Sequence, residues 1–343
     1  MTGQAEVDDV DDVVRVELDS IEDWTAMCGA AYVPHRAVAS GPFRGALVER
    51  TLGDLGVTHV GSTRLSVTRP RRLAAGEPRD VFMFAAFIRG GGATRQGERT
   101  ARVPGGGGYF IDGDRPYELR LRHRYEMLVA RLPRTHTRLP DRALRATTSV
   151  AVSPGSRGVG PLTRHLAGLV GRRRSFGAEA AEGQQRLVGE LVRGVLYPMV
   201  YPEGSRPLLS GAATAAHARW FIEEHRRDPS LTIDDVAREL RVDRRYLEMV
   251  FSREGVGPAG YLRRARLLDA RRVLLDQPRL PVGEVGLQVG FLSANSFIRA
   301  FGREVGVTPL QWRRARRGDA AAGPAPLLTD LSAYDWTAAP PTG

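Results

Sequence analysis

Leu231–Phe251 reads LTIDDVARELRVDRRYLEMVF, and Leu280–Phe301 reads LPVGEVGLQVGFLSANSFIRAF. The two stretches are copies of one pattern. Val236 answers Val285 and Val242 answers Phe291, at an offset of 49. Leu247 answers Phe297 and Phe251 answers Phe301, at an offset of 50. A Gly-x-x-Pro step follows each copy, at Gly255–Pro258 and Gly306–Pro309. A repeat that carries its own turns indicates a duplicated structural unit.

Each copy reads as two short helices around a tight turn. Thr232-x-x-Asp235 is a capping-box pattern that starts a helix ending at Leu240. Asp243 can cap the next helix, expected to run to about Glu254. Leu247, Val250 and Phe251 fall on one face of that helix by i, i+3, i+4 spacing, which leaves Arg244, Arg245, Glu248 and Met249 outside. In the second copy Val285 and Val289 point inward, and Gly290 supplies a turn residue that tolerates positive φ. Ser293 caps the following helix, and Phe297, Ala300 and Phe301 pack inward. Ala294, Asn295, Ser296 and Arg299 remain on the outer side. A helix from Pro258 to Leu275 separates the copies, and Thr308-Pro309 starts a last helix with Trp312. Two short helices joined by a tight turn, the second polar on its outer face, make a helix-turn-helix. Its second helix enters the DNA major groove.

The rest of the chain sets limits. At 343 residues it is long enough for two domains. No apolar run approaches the ~18 residues that span a bilayer. The first residues lack a basic region followed by an apolar one, so no secretory signal is expected and the cytoplasm is the expected location. The single cysteine, Cys28, excludes a disulfide within the chain and any multi-cysteine zinc site. All 50 basic residues are Arg and the net charge is +11. Residues 213–317 hold 20 Arg against 13 acids, while residues 24–212 hold 29 against 14. Positive charge favours nucleic acid, but the duplicated segment is not the most basic part of the chain. Its claim to DNA rests on geometry.

Taken in order, the first 23 residues hold nine acids and one Arg, and residues 1–20 read as a disordered acidic arm. Ile21–Tyr32 suits a helix. From Ala46 to Leu132 come short strands. Phe82, Phe84, Ala86 and Ile88 would face one way, and Val81, Met83, Ala85 and Phe87 the other. A strand apolar on both faces lies between two layers. Pro104-Gly-Gly-Gly-Gly108 lacks the Lys-Ser/Thr of a phosphate loop and reads as a turn. His35, His59, His123 and His136 are scattered, and no metal site is expected. Between Pro140 and Gly211, two amphipathic helices carry Leu162, Leu166 and Leu169, then Leu187, Leu191 and Leu196. They either form a dimer interface or cover the strand domain. Pro198, Pro202 and Pro207 mark Pro198–Ser210 as a linker. Residues 318–343 read as a disordered tail.

On these residues the C-terminal hundred resembles the DNA-binding domain of the AraC/XylS family of bacterial transcription regulators. The motif GFxSxxxFxRxFxxxxGxTPxxWR, over Gly290–Arg313, is the most specific part. The resemblance implies a seven-helix domain with two recognition helices in adjacent major grooves, about one helical turn apart. Family contact positions fall on Arg245, Glu248 and Met249, then on Ala294, Asn295, Ser296 and Arg299, with Arg244 at a phosphate. Arg245 can pair with guanine, Asn295 with adenine, and Glu248 with cytosine. Alternatively Glu248 forms a salt bridge with Arg244 or Arg245, and Arg299 one within the domain. Arg241 stands where the family prefers Gly, and Gly286 where it has Ala; each departure is expected to cost ~1 kcal/mol.

FRGALVERTLGDLGVTHV, RDVFMFAAFIRGGG and VPGGGGYFIDGDRPYEL resemble the cupin-like ligand-binding domain of one branch of this family, with Gly106 where that branch has an acid. The expected fold is therefore α+β. A cupin-like β-barrel sensor spans 21–139, a helical linker and possible dimerisation region 140–211, and an all-α double helix-turn-helix domain 212–317. The resemblance implies a regulator of transcription, more often an activator, without catalysis or cofactor. Its partners would be double-stranded promoter or operator DNA, a small organic effector, RNA polymerase and a second copy of the chain. Two alternatives stay open. One is a metal-dependent cupin enzyme fused to a DNA-binding module. The other is a DNA-binding protein whose barrel only dimerises.

Overall fold

The computed structural model describes residues 11–76, 80–156, 158–172, 175–201, 210–252 and 255–315. The tail expected at 318–343 and most of the linker lie outside these residues. The chain forms two compact units, the second opening at Ser210, and the fold is α+β.

The first unit is strand-rich. Its strands are β1 (Asp11–Leu18), β2 (Arg36–Ala39), β3 (Gly45–Leu52), β4 (Leu55–Ser62), β5 (Leu65–Arg69) and β6 (Val81–Arg89). They continue with β7 (Gly92–Gln96), β8 (Arg99–Val103), β9 (Gly108–Asp112), β10 (Tyr117–Leu121) and β11 (Tyr125–Pro133). Its helices are α1 (Ile21–Ala31), α2 (Arg71–Gly76), α3 (Asp141–Thr147), α4 (Val159–Gly171) and α5 (Ala178–Val200). The strands make two antiparallel sheets, ordered β1-β3-β4-β11-β6-β9 and β2-β5-β10-β7-β8. Both sheets and α1 contribute to one core. Trp24, Val60, Val67, Met83, Tyr109, Tyr117 and Met127 meet there.

β6 shows why the sheets close as they do. Val81, Met83, Ala85 and Phe87 join the inner core. Phe82, Phe84 and Ala86 on its other face are fully buried too; in the same sheet α4 packs on β3, β4 and β11, and α5 on β3. Burying each Phe is worth ~1.5–3 kcal/mol. Leu162, Leu166, Leu191 and Leu196 are buried with them. The apolar faces of α4 and α5 are thus spent on the sheet, and helices expected as an inter-domain linker belong to the first unit. A dimer through those faces has no apolar surface left to use. The Pro104–Gly108 stretch is a turn between β8 and β9.

Two expectations are corrected here. Residues 11–18 are not a disordered arm: β1 pairs along the whole of β3, from Asp11 opposite Leu52 to Leu18 opposite Gly45. Val14, Val16 and Leu18 alternate with polar residues, and Val16 and Leu18 pack on the core. An open edge strand offered that apolar face a partner, so the acids did not decide. Nor does Pro198 begin the linker, because α5 continues through it to Val200. Proline forfeits one backbone bond and crowds the carbonyl four residues back. That residue is Gly194, and Pro198 sits in the last turn, so little helix follows it.

The second unit is all helical: α6 (Gly211–His225), α7 (Ile233–Leu240), α8 (Arg244–Ser252), α9 (Pro258–Asp276), α10 (Val282–Gln288), α11 (Ala294–Val305) and α12 (Pro309–Ala315). It has two cores. Ile222, Val236, Leu247, Phe251 and Leu262 make the first. Leu267, Leu274, Val285, Phe297, Phe301 and Trp312 make the second. Helix α9 lends its first turns to one core and its later turns to the other, so it fixes the spacing of the two units.

Candidate DNA interface and effector cavity

The first recognition helix, α8, is held by a capped partner. Thr232 accepts from the Asp235 amide at 3.2 Å while Asp235 accepts from the Thr232 amide at 2.9 Å, closing the capping box at the start of α7. The Thr232 hydroxyl and amide, with Arg238, hold the Asp235 carboxyl down at about 2. Arg241 ends the helix in the left-handed region, at φ 53 and ψ 46. Inward, Leu247, Val250 and Phe251 are buried. Outward, Arg244 donates through Nε to Glu248 at 3.0 Å and through Nη1 to Asp234 at 3.1 Å. These carboxylates raise the Arg244 pKa, Glu248 most. The pair expected as an alternative is therefore the one formed, and Glu248 is engaged with Arg244. The whole cluster is exposed, where such pairs are weak and easily exchanged. Arg245 is exposed and has no ionic or hydrogen-bond partner among the described residues. Met249 is 45 % exposed beside it.

The second recognition helix, α11, starts at Ser293, whose hydroxyl accepts from the Ser296 amide at 3.2 Å. The Ser296 hydroxyl turns back to the Ser293 carbonyl at 2.7 Å, so it is occupied within the cap. Ala294 is half-buried against α10. Asn295 and Arg299 are exposed, with no side-chain partner among the described residues. Arg299 therefore makes no salt bridge there. Of the eight residues named from sequence, Arg245, Met249, Asn295 and Arg299 present uncommitted groups. Arg244 and Glu248 are paired, and Ala294 and Ser296 serve the helix start.

Sequence reasoning missed three participants. Asp234 reaches Arg244 across ten residues, a contact only the turn geometry creates. Leu292, 78 % exposed, and Ile298, 38 % exposed, flank Asn295 and Arg299. The repeat offered a signal for Ile298, since it occupies the position of Glu248. Other residues of the family motif prove to be framework. Arg266 donates to the Arg226 carbonyl and to the Asp228 carbonyl, both at 2.7 Å. Arg313 donates to the carbonyls of Pro278 and Leu280, at 3.1 and 2.8 Å. Asp269, 4 % exposed, receives Arg227 at 2.7 Å and Arg226 at 3.3 Å. These bonds tie α9 to the loop before α7, and α12 to the loop before α10.

The first unit encloses a cavity of ≈ 60 Å³, measured to the centres of water-sized spheres. One water needs only ~10–15 Å³ on that measure. Trp24, Cys28 and Tyr32 face it from α1 and the residue after it, at helical spacing. Met83, Tyr109, Tyr117, Tyr125 and Met127 face it from the sheets. Burial pushes Tyr109, Tyr117 and Tyr125 well above the usual phenol range, so they remain neutral donors. Burial raises the Cys28 thiol likewise, which makes it an inert wall. The lining is apolar with a few convergent polar groups, the character of a small-molecule site. Among the described residues no three His, Cys, Asp or Glu come together as a metal would need. No helix among them is long and apolar enough to cross a membrane.

A sheet-enclosed cavity in one unit and two helix-turn-helix elements in the other define a DNA-binding regulator with a ligand-binding domain. The sequence model of the helix-turn-helix domain matches residues 236–315, and that of the AraC-binding-like domain matches 24–197, just over half of the chain. The chain belongs to the AraC/XylS family of transcription regulators. It is 25 % identical over 274 residues to the transcriptional activator NphR of Rhodococcus sp, covering 77 % of this chain and 79 % of that one. It is 33 % identical over 150 residues to the HTH-type transcriptional regulator ArgR of Pseudomonas aeruginosa, covering 43 % and 45 %. Among solved structures, the DNA-binding domain of AdpA in complex with a target DNA is 27 % identical, at a TM-score of 0.29. It covers 31 % of this chain and 98 % of that one.

Proposed function

We propose that the chain is a transcription activator that reads promoter DNA with Arg245 and Asn295–Arg299 and answers to a small organic effector held in the first unit. One observation carries this reading. Both Arg245 and Arg299 stand exposed on the outer faces of the recognition helices with no ionic partner among the described residues, while the motif arginines Arg266 and Arg313 are tied to carbonyls. A guanidinium left open at that place can take the O6/N7 pair of a guanine. Met249 supplies apolar contact beside one, and Asn295 an adenine reader beside the other. Arg244 exchanges its carboxylate partners for a phosphate on binding, which positions the helix without reading sequence. RNA polymerase is the partner that activation requires, and a second copy of the chain is a further one.

The test uses the full chain and the duplex upstream of its own coding region. A specific complex over ~20 bp, weakening steeply from 50 to 200 mM salt, is expected. Added RNA polymerase should give more transcript with the chain than without it. Binding no tighter than to a scrambled duplex contradicts the DNA assignment. Less transcript contradicts the activator assignment.

A further inference from the structure

The two sheets of the first unit differ on their outer faces. Helix α4 lies on the six-stranded sheet. No described helix covers the outer face of the five-stranded one, where Val38 is 63 % exposed and the Arg120 side chain 64 %. The strand registers bring four arginines to that face. Arg36 on β2 and Glu118 on β10 both stand opposite Thr68 of β5, and Glu118 stands opposite Arg95 of β7. Two residues along, Arg120 stands opposite Ala93, and Ala93 opposite Arg102 of β8. Directly opposed residues of antiparallel strands share a face, so these side chains project together. The other positions of the two rows, Val38, Ser66, Thr68, Ala93 and Thr100, are uncharged.

Glu118 is the one acid of the two rows. It pairs with Arg95 and, at 3.7 Å, with Arg120. Both arginine side chains are more than half exposed, where such pairs exchange easily. Arg36 and Arg102 are exposed and have no ionic or hydrogen-bond partner among the described residues. Four arginines against one carboxylate leave the face strongly positive, and Arg122, exposed just past the end of β10, adds to it. Five strands ~4.8 Å apart make the face ~19 Å wide. A duplex carries one charge per ~1.7 Å of its axis, so several phosphates fall within that width. None of the face positions is aromatic, so unpaired bases have nothing to stack on.

We propose that this face is a second, sequence-independent DNA surface, which holds the phosphate backbone of the duplex beside the site that the second unit reads. It rests on the reading of the second unit as the DNA reader. Once the recognition helices are seated, the tethered first unit is confined near the same duplex, so contacts too weak to hold DNA alone add to the affinity. Phosphates replace Glu118 on Arg95 and Arg120 and give Arg36 and Arg102 the partners they lack, without reading sequence.

The full-length chain is titrated by fluorescence anisotropy on a bare site of ~20 bp and on the same site with ~20 bp of arbitrary sequence on each side, over a range of salt concentrations. The face variant carries Arg36→Gln, Arg95→Gln, Arg102→Gln and Arg120→Gln. The control carries Arg15→Gln, Arg142→Gln, Arg145→Gln and Arg186→Gln, which removes the same charge from exposed sites on β1, α3 and α5. Wild type and control should bind the flanked duplex about ten-fold tighter than the bare site at ~50 mM salt. Their slope of log affinity against log salt should be steeper there by ~3, since each phosphate contact adds ~0.9. The face variant should lose both differences and keep wild-type affinity for the bare site. Arg102→Gln with Arg120→Gln should lose part of each, and it serves as the test if the four changes prevent folding. No flank advantage in the wild type, an advantage that survives in the face variant, or an equal loss in the control overturns the inference. So does binding to phosphatidylglycerol vesicles that needs the four arginines while the flanks add nothing, which would assign the face to an anionic membrane. Wild-type binding to the bare site no tighter than to a scrambled one contradicts the reading of the second unit instead. The flank comparison, being independent of sequence, still decides the face.

Discussion

At the turn of the first helix-turn-helix stands Arg241, and at the turn of the second stands Gly290. Both have positive φ, 53° and 92°. Their hydrogen bonds correspond residue for residue. Arg241 donates to the Arg238 carbonyl and Val242 to the Ala237 carbonyl; Gly290 donates to Leu287 and Phe291 to Gly286. The backbone is the same, yet the tolerances differ because of what stands behind it. A Cβ on Gly290 would lie 2.3 Å from the Arg226 carbonyl oxygen. Behind Arg241 the side chain runs out into solvent. Four residues earlier in the pattern the contrast recurs, with Ala237 buried in the first core and Gly286 in the second. A Cβ on Gly286 would come within 2.7 Å of the Phe297 Cβ. The glycine expected to weaken α10 instead admits the ring that closes the second core. The second copy gains close packing and loses freedom to vary; the first keeps a looser turn and a charged outer face.

The comparison can be broken by exchanging the residues. Gly290→Ala should have the largest effect, ~3 kcal/mol or more, since it adds a backbone clash to an unfavourable φ. Urea unfolding followed by helix signal would show the second unit melting early. Gly286→Ala comes next. Helix propensity alone favours Ala by ~1 kcal/mol, but overpacking against Phe297 costs ~1–3 kcal/mol, so a net loss is expected by the same measurement. A gain would show that α10 and α11 relax apart at little cost. Arg241→Gly should have the smallest effect and the opposite sign. Relief of the left-handed strain is worth ~1–2 kcal/mol, part of it returned through the glycine's unfolded-state entropy, so a gain of under ~1 kcal/mol is expected. Destabilisation there would mean that the Arg241 side chain makes a contact that matters.

Much of this was legible in the chain, and what was not has physical reasons. The second unit repeats a 3.6-residue apolar rhythm with capping residues at its breaks, so its helices and inward faces could be read directly. β6, apolar on both faces, announced a buried layer. β7 and β8 escaped notice because Gly92–Gln96 and Arg99–Val103 carry few apolar residues, and only pairing makes them strands. β1 was hidden by its acids. The candidate site was legible in position but less so in state. Spacing gives which residues of α8 face outward; it cannot give that Arg244 folds back onto Asp234 and Glu248.

The central claim is that two unequal units present one open reader each to the same DNA. It is tested most directly by the affinity of Arg245→Ala, Arg299→Ala and the double variant for the upstream duplex, by fluorescence anisotropy at one fixed salt concentration. Each single change should weaken specific binding by ~10–100-fold, as the loss of one bidentate base contact worth ~1–3 kcal/mol implies. The double change should weaken it by about the product, and binding to scrambled duplex should move far less. Wild-type affinity in both single variants, or equal losses on specific and scrambled DNA, would contradict the account.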